Sequence, residues 1–132
     1  MNAQKEFDFS DLKESGTLSL TTYYKSGKAV ATPLGYDRED GKIYVNTRTK
    51  SYKIKRIKQN PNGKIALSDY RGTIKSPYIE VKIKILWPGE DEEARRVMKY
   101  DSKFSWKFMR FMQKLKFWKE PEERVFLEIT EK

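Results

Sequence analysis

Apolar and polar residues alternate along most of this chain, and the alternation predicts a mainly β protein with some α structure. A period of two places every second side chain on the same face of a strand. The alternating segments, each predicted to be a strand, are Thr17–Tyr24, Lys28–Tyr36, Lys42–Arg48, Lys64–Asp69, Tyr78–Leu86 and Arg124–Thr130. Ser26-Gly27 and Asp40-Gly41 are turn sequences that would join the first three strands into antiparallel hairpins.

Two shorter segments have the spacing of a helix. A short N-terminal helix is predicted from Phe7, Phe9 and Leu12, with its cap near Asp8 or Ser10 and its end at Gly16. A second helix is predicted over Ser51–Asn60, because Ser51 is a favourable N-cap and Ile54 and Ile57 share one face. Pro61-Asn62-Gly63 is predicted to be the turn that follows it.

The longest helical pattern covers Glu90–Trp118. Acidic residues open it and lysines close it, as the helix dipole favours, and a break is predicted at Ser102 or Ser105. Its part Lys103–Lys119 is basic on one side and aromatic on the other. Such a segment suits an anionic membrane surface, but more often it packs on a sheet or a partner subunit. No apolar run approaches the ~20 residues of a membrane span, so we expect no membrane partner and a cytoplasmic protein.

Six short antiparallel strands around one small core predict a closed or nearly closed barrel. The expected fold is thus a six-stranded antiparallel split β-barrel with short helices and a long C-terminal helical segment. The chain has 132 residues, which is the length of one ordinary domain, and it contains no repeat and no low-complexity linker. We therefore expect a single domain over residues 1–132.

Composition excludes several kinds of chemistry. The chain has no cysteine and no histidine, which removes disulfides, Cys/His zinc sites and imidazole-dependent triads, so no metal site is predicted. No G-x-G-x-x-G or Walker A motif is present, and no pair of carboxylates marks a catalytic acid and base. If the chain is an enzyme, a bound cofactor supplies the difficult chemistry. The net charge of +9 favours an anionic partner without choosing among them.

The strongest local signal is the basic segment Arg48–Lys58, in which no residue is acidic. It lies where a strand passes into a helix. The backbone N–H groups of that helix start, the Ser51 hydroxyl and the nearby Lys53 are expected to converge, and such a group of donors can hold a phosphate without a glycine loop. The alternative is a solvated basic helix face with an ordinary N-cap.

The second signal is Ala31-Thr32-Pro33 inside a predicted strand. Proline cannot donate to a strand ladder, so it marks an edge, a bulge or a place where backbone is left unpaired. Unpaired backbone at a barrel end would suit a flat ring laid against it. An edge proline that prevents aggregation is the competing interpretation.

In combination, these segments resemble the flavin-binding split-barrel superfamily of pyridoxamine-phosphate-oxidase-like proteins, and within it the branch of oxidoreductases dependent on the deazaflavin coenzyme F420. The resemblance covers nearly the whole chain and depends on the order DGKIYVNT, then S-x-K-x-K-R, then NP. It implies a homodimer with the cofactor in a groove between the subunits. It also implies an oxidoreductase that transfers a hydride to or from a small molecule that the sequence does not identify.

The resemblance also implies which residues bind the cofactor. Those expected near its phosphate are Asn46, Thr47, Ser51, Lys53, Lys55 and Arg56, and those expected along its ring are Ala31, Thr32 and Pro33. Tyr52 stands where many relatives carry an arginine. The high positive charge favours F420, which carries a phosphodiester and an oligoglutamate tail, over FMN, which has one phosphate.

Two other functions fit the same sequence. A basic barrel with exposed Tyr23, Tyr24 and Tyr36 could stack nucleic-acid bases over a charged groove, although nucleic acid is the less favoured partner. A non-catalytic flavin carrier of the same fold would bind the cofactor without turnover. Similar barrels serve many reactions, so the fold alone does not give the substrate.

Overall fold

A computed structural model describes residues 7–99 and 123–132 of the chain. Within them a closed antiparallel barrel has the strand order β1-β2-β3-β6-β5-β4. The strands are β1 (Ser15–Tyr23), β2 (Ala29–Glu39), β3 (Lys42–Arg48), β4 (Asn62–Leu67), β5 (Ile79–Leu86) and β6 (Arg124–Glu131). Two α-helices, α1 (Tyr52–Gln59) and α2 (Glu92–Val97), and a 3-10 helix (Phe9–Asp11) complete the described fold. The predicted mainly β, six-stranded barrel is confirmed.

The barrel interior is filled by the alternating apolar residues that predicted the strands. In β5, Ile79, Val81 and Ile83 are buried, while Glu80 and Lys82 between them are exposed. Ile54 and Ile57 of α1 are also buried and join the same core cluster. Helix α1 therefore closes one end of the barrel with the apolar face that its spacing predicted.

Helix α2 packs on the outside of the barrel. Ala94 lies with Tyr44 of β3 and Phe126 of β6 in a second, smaller apolar cluster, against which Val97 and Met98 pack. Tyr44 and Phe126 lie on the outer face of their strands, since Val45 and Leu127 point inward. The short helix therefore covers an apolar area of the barrel wall that would otherwise face water.

The prediction that the helix starting near Glu90 continues to Ser102 or Ser105 is wrong. Helix α2 ends at Val97, and Lys99 adopts a left-handed backbone conformation with φ 51°, which no α-helix can continue through. The chain therefore leaves the helix before Ser102 or Ser105, the predicted breaks. Residues 100–122, which include the amphipathic segment Lys103–Lys119, lie outside the described residues.

The short N-terminal helix is confirmed only as one 3-10 turn. Asp8 caps it, as one of the two predicted caps, and a capping box with Asp11 holds the turn. The helix ends at Asp11 rather than at Gly16, because Gly16 already lies in β1 opposite Tyr36.

The predicted turn Pro61-Asn62-Gly63 is also displaced. Asn60 turns the chain instead, because its side-chain carbonyl accepts from the Asn62 backbone N–H at 3.0 Å. Asn62 and Gly63 then belong to β4. Gly63 passes close to β1, where a Cβ atom would lie 2.6 Å from the Thr21 carbonyl oxygen. The glycine thus permits a close backbone approach inside the strand.

The barrel is split between β2 and β3. These two strands pair over only three residues of each, Asp37 with Tyr44, Arg38 with Ile43 and Glu39 with Lys42. The rest of β2 pairs with β1, and the rest of β3 pairs with β6. A cleft therefore opens between Ala29–Tyr36 of β2 and Val45–Arg48 of β3.

No helix in the described ranges is both long enough and apolar enough to pass through a lipid bilayer.

The close approach at Gly63 makes a stability prediction. Gly63→Ala should destabilise the protein by about 1–3 kcal/mol, because the added methyl overlaps the Thr21 carbonyl and the Ile83 side chain. Gly41→Ala is the matched control, since nothing lies within 4 Å of its Cβ position. Chemical denaturation of both variants measures the difference. Equal stability of the two variants would contradict the packing described for β4.

Candidate cofactor site

The predicted site residues meet at one end of the barrel. In the antiparallel register, β1 ends beside the start of β2, and β3 runs parallel to β1 and ends on the same side. Helix α1 follows β3 and closes this end. The cleft between β2 and β3 opens at the same end. The fold therefore places the basic segment Arg48–Lys58 beside the unpaired part of β2.

A cluster of cations lies at the start of α1. Burial lowers the pKa of the Lys53 ammonium, and the neighbouring charges of Arg56 and Arg48 lower it further. Arg56 is buried and donates from Nε to the Thr22 hydroxyl at 2.8 Å. In the described part of the chain, neither Lys53 nor Arg56 has a salt bridge to a carboxylate. Lys53 and Arg56 thus concentrate positive charge here, with no carboxylate paired to either of them among the described residues.

Ser51 occupies the N-cap position of α1, as predicted, but its side chain does not cap the helix. Its hydroxyl is buried and has no hydrogen-bond partner in the structure. Buried polar atoms are nearly always paired, so an orphaned hydroxyl at a helix N-terminus near Lys53 and Arg56 fits an anion that accepts from the hydroxyl, the helix N–H groups and the cations. These residues therefore fit a phosphate.

The backbone of β2 is open on the side of the cleft. The Arg38 N–H donates to the Glu14 carbonyl at 2.7 Å. In an antiparallel pair this means that the backbone N–H and C=O groups of the even-numbered residues of β2 point toward β1. The backbone groups of Ala31, Pro33 and Gly35 therefore point the other way. Within residues 7–99 and 123–132, no strand pairs with them on that side.

The outward side chains along this edge are small. Ala31 and Pro33 are exposed, whereas Thr32 points inward and is only half-buried. On β3 the side chain of Thr47 is buried with the barrel interior. Asn46 is half-buried on the outer face and accepts from the Arg124 guanidinium at 2.6 Å. Of the predicted ring and strand residues, Ala31, Pro33 and Asn46 thus present side chains to the cleft side, whereas Thr32 and Thr47 do not.

A groove of about 430 Å³ runs along the cleft. Its lining comes from β1, β2, β3, β6 and the end of α2: Ser15, Gly16, Pro33, Leu34, Gly35, Tyr36, Asp37, Asn46, Met98 and Arg124. One wall is the open edge of β2, and the opposite wall carries Asn46 and Arg124. A flat ring placed in this groove would lie against small side chains and unpaired amides.

Two predicted features are not part of this arrangement. Lys55 is exposed, and its ammonium lies 5.6 Å from the ring centre of Tyr52, away from the cations around Lys53. The exposed tyrosine surface proposed for nucleic acid is wrong for Tyr36, which is 2% exposed and donates to the Lys13 carbonyl. Of the three tyrosines, Tyr24 is exposed, and it packs under the Arg56 guanidinium.

Sequence reasoning missed three contributors to the site. Thr22 lies in the predicted strand Thr17–Tyr24, but only the structure shows that its hydroxyl accepts from the buried Arg56. Arg124 is the first residue of β6 and reaches the groove because β6 pairs with β3. Asp37 lines the groove from β2. These residues are far apart in the sequence, so the sequence does not show that they belong to one site. Knowledge that β6 pairs with β3 would have placed Arg124 near Asn46.

Solved structures with the same fold include flavin-binding proteins. A pyridoxamine 5'-phosphate oxidase-related, FMN-binding protein from Nostoc punctiforme has a TM-score of 0.57 at 16% identity, over 87% of this chain and 70% of that chain. An F420 reductase has a TM-score of 0.55 at 14% identity, over 98% and 96%. The heme storage protein HutZ from Vibrio cholerae has a TM-score of 0.59 at 12% identity, over 88% and 81%.

These similarities establish the fold. The chain has the fold of these proteins, a closed six-stranded antiparallel barrel, as the resemblance in the sequence implied. No protein-family model and no curated protein matches the sequence.

The cation cluster makes a prediction for the ligand-free protein. Lys53→Gln should not lower its melting temperature and should raise it by up to a few degrees, because burial and two neighbouring cations disfavour the charged ammonium. Since the pKa of Lys53 is lowered, raising the pH toward its ordinary range relieves the penalty in the wild type. The difference between the two proteins should therefore shrink as the pH rises.

Lys55→Gln is the matched control, because it removes the same charge from an exposed position on the same helix. Its melting temperature should stay close to that of the wild type. Thermal melts at low ionic strength from pH 7 to pH 10 make the comparison. A clear loss of stability in Lys53→Gln would mean that the ammonium has a stabilising partner.

Proposed function

We propose that this protein binds a flavin-type cofactor in the groove between β2 and β3 and uses it as an oxidoreductase that acts on a small molecule. The observation that carries the proposal is that an unpaired strand edge lies at the same end of the barrel as Lys53 and Arg56, neither of which has a carboxylate partner among the described residues. Each half of that arrangement suits one half of the ligand. The anionic arm needs cations and amides, and the ring needs a flat wall with hydrogen-bonding groups.

The phosphate of the cofactor would lie at the start of α1. There the Ser51 hydroxyl, the free N–H groups of the first helical turn and the Lys53 ammonium would donate to its oxygens. Arg56 is held by Thr22 and contributes charge from behind Lys53 rather than a direct contact. Binding a phosphate would therefore pair the orphaned hydroxyl and neutralise the clustered charge together.

The ring would lie along the open edge of β2. The N–H groups of Ala31 and Gly35 and the carbonyls of Ala31, Pro33 and Gly35 point toward the cleft and match the donors and acceptors at the edge of an isoalloxazine or deazaflavin ring. The bound cofactor supplies hydride transfer. The chain's residues would hold its ring and leave one face open for the substrate.

We favour the deazaflavin coenzyme F420 over FMN. No acidic residue occurs between Gly41 and Ser68, a span that includes all of α1 and eight basic residues. A phosphodiester with an oligoglutamate tail would find more complementary charge along this surface than a single phosphate would need. Haem fits less well. The chain has neither histidine nor cysteine, which are frequent protein ligands of haem iron.

A second copy of the chain would complete the site in this proposal. The groove is open on the outer side of the barrel, where Pro33 has a small side chain and Gly35 has none, so they cannot enclose a ring. A homodimer that packs on this face would cover the ring and exclude water from the reacting face.

Titration of the purified protein with F420, FMN and riboflavin tests the proposal. We expect F420 or FMN to bind, and a 100-fold excess over Kd to stabilise the fold by about 2.7 kcal/mol, which is several degrees in Tm. Ser51→Ala and Lys53→Gln should each weaken FMN binding about tenfold, whereas Lys55→Gln should not. Riboflavin, which lacks the phosphate, should bind equally to the wild type and to Lys53→Gln.

The contrary outcomes are distinct. Failure of both F420 and FMN to bind would overturn the proposed function. Binding that is insensitive to Ser51 and Lys53 would retain the cofactor but remove the phosphate site. Binding without oxidation of the reduced cofactor by any compound in a panel of quinones, nitroaromatics and enones would leave a carrier in place of an oxidoreductase.

A further inference from the structure

Asp37 is a half-buried carboxylate without a hydrogen bond or an ion pair in the described structure. The other carboxylates there that are not exposed each have a partner. Asp8 caps the 3-10 helix, Asp69 accepts from two amides of its own loop, Asp91 pairs with Arg95 and Glu128 pairs with Lys42. The Asp37 oxygens are not fully buried, so they are open to a donor from outside the chain.

The position of Asp37 relates it to the groove. It lies on the outer face of β2 and lines the groove together with Ser15, its register partner on β1. Ala31 and Asp37 are six residues apart on the same face, a distance of about 20 Å along an extended strand. Asp37 therefore lies toward the end of β2 that is away from α1.

The surroundings of Asp37 offer it little compensation. Of the groove residues beside it, Gly16, Gly35 and Met98 have no side-chain donors, and the Ser15 hydroxyl forms no hydrogen bond with Asp37 in the described structure. Burial raises the pKa of its carboxyl group, and the Lys99 charge opposes that effect in part. Lys99 is exposed and forms no ion pair with Asp37. The other titratable group close to it, the buried Tyr36 hydroxyl, already donates to the Lys13 carbonyl.

We propose that Asp37 is a substrate-binding residue that accepts hydrogen bonds from a positively charged nitrogen group, such as an amidinium, a guanidinium or a protonated ring nitrogen. The identification of this group as part of a substrate rests on the proposed function. The start of α1 and the part of the groove at Asp37 then have opposite preferences. The cations at α1 take the anionic arm of the cofactor, and the carboxylate at Asp37 takes the cationic end of the molecule that reacts with its ring.

Charge selectivity follows from this arrangement. An anionic compound would meet an unpaired carboxylate in a partly desolvated groove, so it would be excluded from this end. Lys99 would compete with the ligand for Asp37, because both are cations. Removal of the Lys99 charge should therefore strengthen the binding of a cationic ligand. If Lys99 and Asp37 instead formed a structural ion pair, the same change would remove that pair.

Three small molecules of one shape test the proposal: benzamidinium, benzamide and benzoate, which are positive, neutral and negative. Their affinities are measured at pH 7.5 by NMR titration of the full-length protein, with and without saturating FMN or F420. We expect benzamidinium to bind at least tenfold more tightly than benzamide, and benzoate to bind least. Asp37→Asn should abolish the difference between benzamidinium and benzamide, and Lys99→Gln should enlarge it.

Asp40→Asn is the matched control. It removes the same charge from the exposed β2–β3 turn, where φ is 56°, a conformation that asparagine tolerates. It should leave the preference for benzamidinium unchanged. Asp37→Asn should melt at or above the wild-type temperature, since it removes a partly buried and unpaired charge, so a lost preference in it cannot be attributed to unfolding.

Equal binding of benzamidinium and benzamide by the wild type would overturn the proposal, as would an unchanged preference in Asp37→Asn. Loss of the preference in Asp40→Asn would assign it to overall charge and would overturn it too. These outcomes do not depend on the cofactor. Absence of F420 and FMN binding, together with a benzamidinium preference that requires Asp37, would overturn the proposed function and leave the cation subsite standing.

Discussion

The early separation of β2 from β3 is the constraint on which the site depends. The two strands pair with each other over only three residues. Beyond those residues β2 continues paired with β1 alone, and β3 continues paired with β6 alone. That separation leaves the backbone of Ala31–Gly35 without a strand partner, and Pro33 keeps another strand from adding there. The barrel still closes, because β6 joins β3 to β5 over long ladders. A wall of unpaired amides is therefore held rigidly beside the start of α1.

The distribution of charge follows from the same geometry. Lys53 and Arg56 lie close together on a helix whose apolar face is fixed in the barrel by Ile54 and Ile57, so the backbone holds these two residues near each other. The repulsion between their charges lowers the stability of the folded protein. Toward the other end of β2, Asp37 has no partner among the described residues. Local departures from good pairing concentrate at functional sites, and here both occur near the open edge of β2.

The architecture could be predicted from the sequence, because Lys42–Arg48 and Tyr78–Leu86 alternate clearly and the turns at Ser26 and Asp40 are explicit. Ser51 and Lys53 could be recognised because they are close in sequence. Arg124 and Asp37 could not, since only the pairing of β6 with β3 and the position of the split bring them to the groove. The end of α2 at Val97 could not be predicted either. The helix is as long as the apolar area of the barrel wall that it covers, whereas the sequence pattern after Val97 is still helical.

Amide NMR shifts during parallel titrations with FMN and riboflavin test the central claim most directly. The account predicts that both ligands shift the amides of Ala31 and Gly35, on the open edge of β2, and that only the phosphorylated one shifts those of Tyr52 and Lys53 at the start of α1. Shifts confined to exposed lysine-rich surface, or a response at α1 without one at β2, would show that the split in the barrel and the cation cluster do not form one binding site.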